Sequence, residues 1–185
     1  MSVAHAGKKA TIIMIMAKNL QESFPTSGLE PTTILHLQRL VLLNNESRDA
    51  YQVAANLSTD PQLMALAQQA ALERGAQANT LQNILWCNGT ISRSQTRVES
   101  EHDRRICNVL NESPQELTRT LVDELLKIDE IVYSCYEKVR NNTHGRGIRQ
   151  LLTEQALRIQ ERRKQMLDLR QNSPEDKEIG TQSKQ

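Results

Sequence analysis

Four long stretches of this chain place apolar residues three and four positions apart, the spacing of one face of an α-helix. In the first, at about 33–57, the recurring residues are Ile34, Leu37, Leu40, Leu43, Ala50 and Ala54. The second, at about 61–85, carries Leu63, Leu66, Ala70, Leu81 and Ile84. The third, at about 114–140, carries Leu117, Leu121, Leu125, Ile128, Val132 and Cys135, and the fourth covers about 147–170. Each is roughly twice the length of the common globular helix of about 11–12 residues. Long amphipathic helices in a small chain bury their stripes by packing side by side.

Composition agrees. Aromatic and β-branched residues are sparse, with a single Phe, and Gly and Pro number only seven and five, which argues against a sheet. The 185 residues suit one domain. Residues 1–31 read as a flexible leader in which Pro25, Gly28 and Pro31 punctuate a loop, with Thr32 or Thr33 as the cap of the first helix. Asp60 and Pro61 close one helix and open the next. Ser113, Pro114 and Glu116 form a capping-box signature, Asn88-Gly89 is a turn signal, and 171–185 is a polar, disordered tail. The short connections 58–60 and 141–147 make two helical hairpins, while 86–113 reads as a partly helical crossover. An all-α antiparallel four-helix bundle with one long crossover, over 32–170, is the expected fold. The sequences LLNNE (42–46) and LLKID (125–129) place an acid at the same offset after a Leu pair, which suggests a duplicated hairpin.

The formal net charge of +1 gives no global field for nucleic acid or a membrane surface. Cys87, Cys107 and Cys135 are odd in number and lack CxxC spacing, so reduced thiols in a cytoplasmic protein are expected. The apolar run TIIMIMA (11–17) is short for a signal peptide and no A-x-A site follows it. No stretch approaches the ~20 apolar residues of a membrane span. The Asn-X-Ser/Thr triplets at Asn45 and Asn88 fall in or beside helices and are read as chance.

Three segments carry a family resemblance: the acidic NNESRDAY of the first helix, the run STDPQLMALAQQAALERGAQANTLQ through the second, and an acid seven residues before a Tyr, Asp129 and Tyr136, in the third. On these, residues 32–170 resemble a bacterial ferritin-like four-helix-bundle family of unknown function, the one numbered twenty-three eighty-three among such domains. The likeness weakens across 90–112. It implies a ferritin-like fold, and chemistry has to be argued from the site itself.

A di-iron carboxylate bundle takes a lone Glu from each of two helices and Glu-x-x-His from each of the others. Glu46 and Asp129 are the candidates for the lone acids, and Glu73 and Glu154 for the paired ones. Ala76 and Leu157 stand where the two His ligands belong, which argues against a conventional di-iron centre. A carboxylate-only site for Fe or Mn is the alternative. The competing reading has Glu46, on a stripe with Leu42, Leu43, Ala50, Val53 and Leu57, and Glu73 bonding between helices. Their candidate partners are Arg74, Gln77, Tyr133 and Tyr136, in a polar layer that fixes helix register.

The expected function is thus a non-catalytic structural or interaction module, since no nucleophile signature, P-loop or GxGxxG occurs. The wide apolar face of the first helix, with Leu35, Leu42 and Val53, suggests a homodimer. Trp86 reads as a cap on the bundle end, or an interface residue where exposed. Phosphate or nucleic-acid contact through Arg149, Arg158, Arg162, Arg163 and Lys164 is a weaker alternative, because Glu154, Glu161 and Asp168 are interleaved and no aromatic is at hand for stacking.

Overall fold

The computed structural model describes residues 28–90 and 113–171. Most of the leader, most of the crossover (91–112) and the tail from 172 on lie outside the described residues, and with them the weak helix expected at 95–111. The described residues form four helices and no strand: α1 (Pro31–Leu57), α2 (Pro61–Cys87), α3 (Pro114–Asn142) and α4 (Arg146–Gln171). None is long and apolar enough to cross a membrane.

Local chemistry sets the helix ends. The Asp60 carboxylate accepts the backbone N–H of Gln62 at 2.7 Å and of Leu63 at 3.2 Å, and Pro61 occupies the first helical position. Ser113 and Glu116 complete their reciprocal capping box. The start of α1 differs from expectation. It begins at Pro31 after Glu30, which makes no side-chain cap, and neither Thr32 nor Thr33 serves as one. The fixed φ of proline suits a first helical turn, where its missing N–H costs nothing. At the other end of the hairpin Asn88 closes α2 through its Nδ2, which donates to the Ile84 carbonyl at 2.8 Å. Its Oδ1 accepts the Leu29 N–H at 3.2 Å, tying the end of α2 to the entry of α1. Gly89 follows with φ of 72°, the left-handed turn expected from Asn-Gly.

The buried positions follow one rule in all four helices. In α1 they include Leu37, Leu40, Asn44, Ser47, Tyr51 and Ala54; in α2, Leu63, Ala67, Ala70, Arg74, Gln77, Leu81 and Ile84. In α3 they include Thr118, Val122, Leu125, Asp129, Val132, Tyr136 and Val139, and in α4, Ile148, Leu152, Gln155 and Ile159. Steps of three and four alternate throughout, the seam of coiled-coil packing. Leucines dominate both ends of the core, each burial worth about 1.5–3 kcal/mol. The middle of every seam is polar. Polar groups from different helices meet there: the Asn44 and Tyr136 side chains, the Tyr51 and Asp129 side chains, and the Gln77 side chain with the Gln155 backbone carbonyl.

Candidate functional site

The polar middle is built around Asp129, which α3 holds at 0 % exposure. Its Oδ2 accepts the Tyr51 hydroxyl of α1 at 2.6 Å. Its Oδ1 takes a short charge-assisted bond from Nη2 of Arg74 on α2, itself a buried residue. Carboxylate and guanidinium therefore satisfy each other where neither could stand alone, since a lone buried charge costs several kcal/mol. The other side of the guanidinium continues the network, with Nη1 donating to Gln77 Oε1 at 3.1 Å. Gln77 Nε2 reaches the Gln155 carbonyl of α4 at 3.4 Å. The Gln155 side chain accepts the Tyr136 hydroxyl at 2.8 Å, and that hydroxyl in turn accepts Asn44 Nδ2 at 2.8 Å. Asn44 Nδ2 also donates to the Leu40 carbonyl one turn back, at 2.7 Å. All four helices are joined by one connected set of bonds.

The protonation states are strongly set. Burial, and next the Asp129 charge, push the Tyr51 phenol well above its ordinary pKa, so its hydroxyl stays a donor. Burial does the same for Tyr136. Burial works against the charge on Arg74, but Asp129 more than compensates and its pKa rises. The two phenols are thus held as hydroxyl donors and Arg74 is held charged.

A second polar cluster flanks the first between α2 and α4. Glu73 is half-buried; its Oε1 accepts Arg162 Nη2 at 2.6 Å and Gln69 Nε2 at 2.9 Å. The cleft beside it, lined in part by Ala70, Arg158 and Ile159, measures about 10 Å³, which is room for about one water molecule. It is no substrate chamber.

The four acids picked out as metal ligands take up different places. Asp129 is central and Glu73 lies at the edge of the α2–α4 seam. Glu154 is exposed and accepts Gln150 Nε2 at 3.0 Å. Glu46 is exposed as well, a departure from the interior position read from its apolar neighbours. The stripe that enters the core is Leu40, Asn44, Ser47, Tyr51, Ala54, and Glu46 falls beside it while Leu42 and Val53 are half-buried flanks. Among the described residues no three His, Cys, Asp or Glu side chains gather as a metal site would require. Of the partners foreseen for the interior acids, Arg74 serves Asp129; Gln77 and Tyr136 join the same layer, and Tyr133 instead accepts Gln160 Nε2 at 2.6 Å on the rim. Asn44, Ser47 and Gln155 were not foreseen. The signal for them was the alternation of three and four continued through polar residues.

Two arginines of the basic stretch of α4, and Arg170 beyond it, are ion-paired. Arg162 pairs with Glu73, Arg163 pairs with Glu130 and lies 6.0 Å from the Tyr133 ring centroid, and Arg170 meets Asp123 at 3.3 Å. The carboxylates come from α2 and α3; the acids interleaved on α4 itself, Glu154, Glu161 and Asp168, supply none of these pairs.

Glu73 gives a testable pH dependence. Burial raises its pKa, but the Arg162 and Gln69 hydrogen bonds and the nearby arginine charges outweigh that and hold the carboxyl below its ordinary value. A carboxyl depressed in the folded state contributes stability above its unfolded-state pKa of about 4.3, and loses it as the pH falls through the lower folded value. Urea unfolding between about pH 6 and pH 3 should therefore show a shallower acid loss for Glu73→Gln than for wild type. Coincident pH profiles would rule out the Arg162 bond as a contributor. No family model matches this chain, and neither a curated protein nor a solved structure does.

Proposed function

We propose that this chain is a non-catalytic structural or interaction module, a ferritin-like bundle of the bacterial family its helices resemble, in which a polar layer takes the central place of a metal centre. The observation that carries the reading is the occupancy of Asp129: both carboxylate oxygens are engaged, one by a permanent cation and one by a phenol. An Arg guanidinium already supplies the positive charge that a carboxylate layer needs, and it would repel a second cation placed beside it.

The cross-helix pairs support an antiparallel course for neighbouring helices. Residue numbers rise on one helix as they fall on the other in Asn44–Tyr136 and Tyr51–Asp129, in Glu73–Arg162 and Gln77–Gln155, and in Tyr133–Gln160 and Asp123–Arg170. With hairpin turns at 58–60 and 143–145, this order leaves α2 and α3 pointing the same way.

The second reading is a carboxylate-based Fe or Mn binder using Glu46, Glu73, Asp129 and Glu154. A metal present at one hundred times its dissociation constant stabilises the folded state by about 2.7 kcal/mol, several degrees in melting temperature for a bundle this size. Protein purified without chelator is expected to carry substoichiometric Fe and Mn and to melt at the same temperature with added Fe(II) or Mn(II). A rise in melting temperature that disappears in Asp129→Asn would instead establish the metal reading.

Self-association is part of the proposal. Leu72 and Trp86 are 71 % and 73 % exposed, and fourteen residues of helix bring them within about 40° of each other around α2. Large apolar side chains exposed on one side of a helix favour a partner surface. Sedimentation at tens of micromolar, a concentration of order 10⁻⁵ M suited to modest pairing, is expected to show a dimer that Trp86→Ala and Leu72→Gln together weaken. A wild-type monomer under those conditions contradicts this part.

A further inference from the structure

The basic residues of α4 are treated unequally. Arg162, Arg163 and Arg170, further along the helix, each have a carboxylate. Arg146 and Arg149, in its first turn, have none among the described residues, and that turn contains no acidic residue. Arg140, from the last turn of α3, comes to the same place and is held by Glu137 at 2.6 Å. These three guanidiniums line a concavity of about 440 Å³ at the α3–α4 turn, with Asn141, Gln150 and Thr153 as its other walls. No carboxylate lines it. Two unpaired arginines and a third held by Glu137 line one open hollow, and that excess of positive charge is favourable when an anion fills it.

We propose that this hollow binds phosphate groups, two or more on one ligand, through Arg140, Arg146 and Arg149. Guanidinium forks match phosphate oxygens in pairs, and Asn141, Gln150 and Thr153 supply neutral polar side chains beside them. Gly145, at φ of 132°, directs the chain into α4, and Arg146, Arg149, Gln150 and Thr153 follow at helical spacing along one side of its first two turns. The lining also limits the ligand. It contains no aromatic or aliphatic residue to hold an apolar ring, so recognition rests on the phosphorylated end. Linked phosphates such as a pyrophosphate unit, free or on a lipid headgroup, fit that chemistry. The site lies at the turn between α3 and α4, and it does not depend on the role of the Asp129 layer.

Calorimetric titration of the full chain with inorganic pyrophosphate tests the proposal, comparing wild type, Arg146→Gln/Arg149→Gln, and a control, Arg158→Gln/Lys164→Gln, that removes the same charge elsewhere on α4. Saturable binding in wild type is expected, with affinity lost by about tenfold or more in the site variant, as two charge-assisted contacts would give, and within about twofold of wild type in the control. Both variants should melt as wild type does, because all four residues are exposed. Equal losses in the two variants, or no saturable binding up to about 5 mM pyrophosphate, would overturn it. So would a single-stranded oligonucleotide that binds more tightly than pyrophosphate and keeps its affinity in the site variant. Flotation with vesicles made with and without diacylglycerol pyrophosphate assigns the source: binding that needs that lipid and is lost in the site variant points to a headgroup, and none points to a soluble ligand.

Discussion

The contact between Arg74 and Asp129 is the constraint around which this bundle is arranged. Neither residue has access to water, and they come from helices that the chain separates by a long crossover. Taking the two charges out of water costs several kcal/mol apiece, and their attraction compensates only when geometry is good and the remaining hydrogen-bonding groups are satisfied. Tyr51 meets the second carboxylate oxygen and Gln77 the second guanidinium nitrogen, so the pair is completed by its neighbours. Sliding α3 by one turn along α2 would break the contact and bury both charges without partners. A core of Leu and Ala alone tolerates such slips much better. The pair contributes mainly to the choice of one register, with a smaller part in net stability.

From that pair the network runs outward through Gln77, Gln155, Tyr136 and Asn44 until every helix is included. The layer stands at the middle of each seam, where a ferritin-like protein would hold its metal ligands. Arginine changes the chemistry available there. It cannot be deprotonated in a protein and offers no coordination site, so a fixed positive charge stands at the centre of the bundle. Leu72 and Trp86 reach solvent on α2, and a basic hollow opens at the α3–α4 turn.

Much of the architecture could be read directly from the residues. The four helices of the described residues, the Asp60 cap, the Ser113–Glu116 box and the Asn88-Gly89 turn depend on neighbours in the chain, and local chemistry decides them. The start of α1 was missed because the proline at 31 competes with the threonines after it. The interior was harder. A stripe drawn through apolar residues alone takes in Leu42, Leu43 and Val53 and carries Glu46 into the core. The seam in fact passes through Asn44 and Ser47 and leaves Glu46 outside. Asp129 was legible as an interior acid, and Arg74 as an interior base. Their pairing was not, because it joins positions 55 residues apart and depends on the rotation and axial register of two helices. Local sequence does not encode either.

The central claim is that Arg74 and Asp129 act as one unit that fixes the bundle. A double-mutant cycle with Arg74→Met, Asp129→Asn and the combined variant, followed by urea unfolding, measures this directly. The Asn substitution keeps an acceptor for Tyr51. Each single change leaves one buried charge unpaired and should cost about 3–5 kcal/mol. The double variant should recover a coupling energy of about 1–3 kcal/mol relative to the sum of the two. Single-variant costs that simply add, within about 0.5 kcal/mol, would contradict the account.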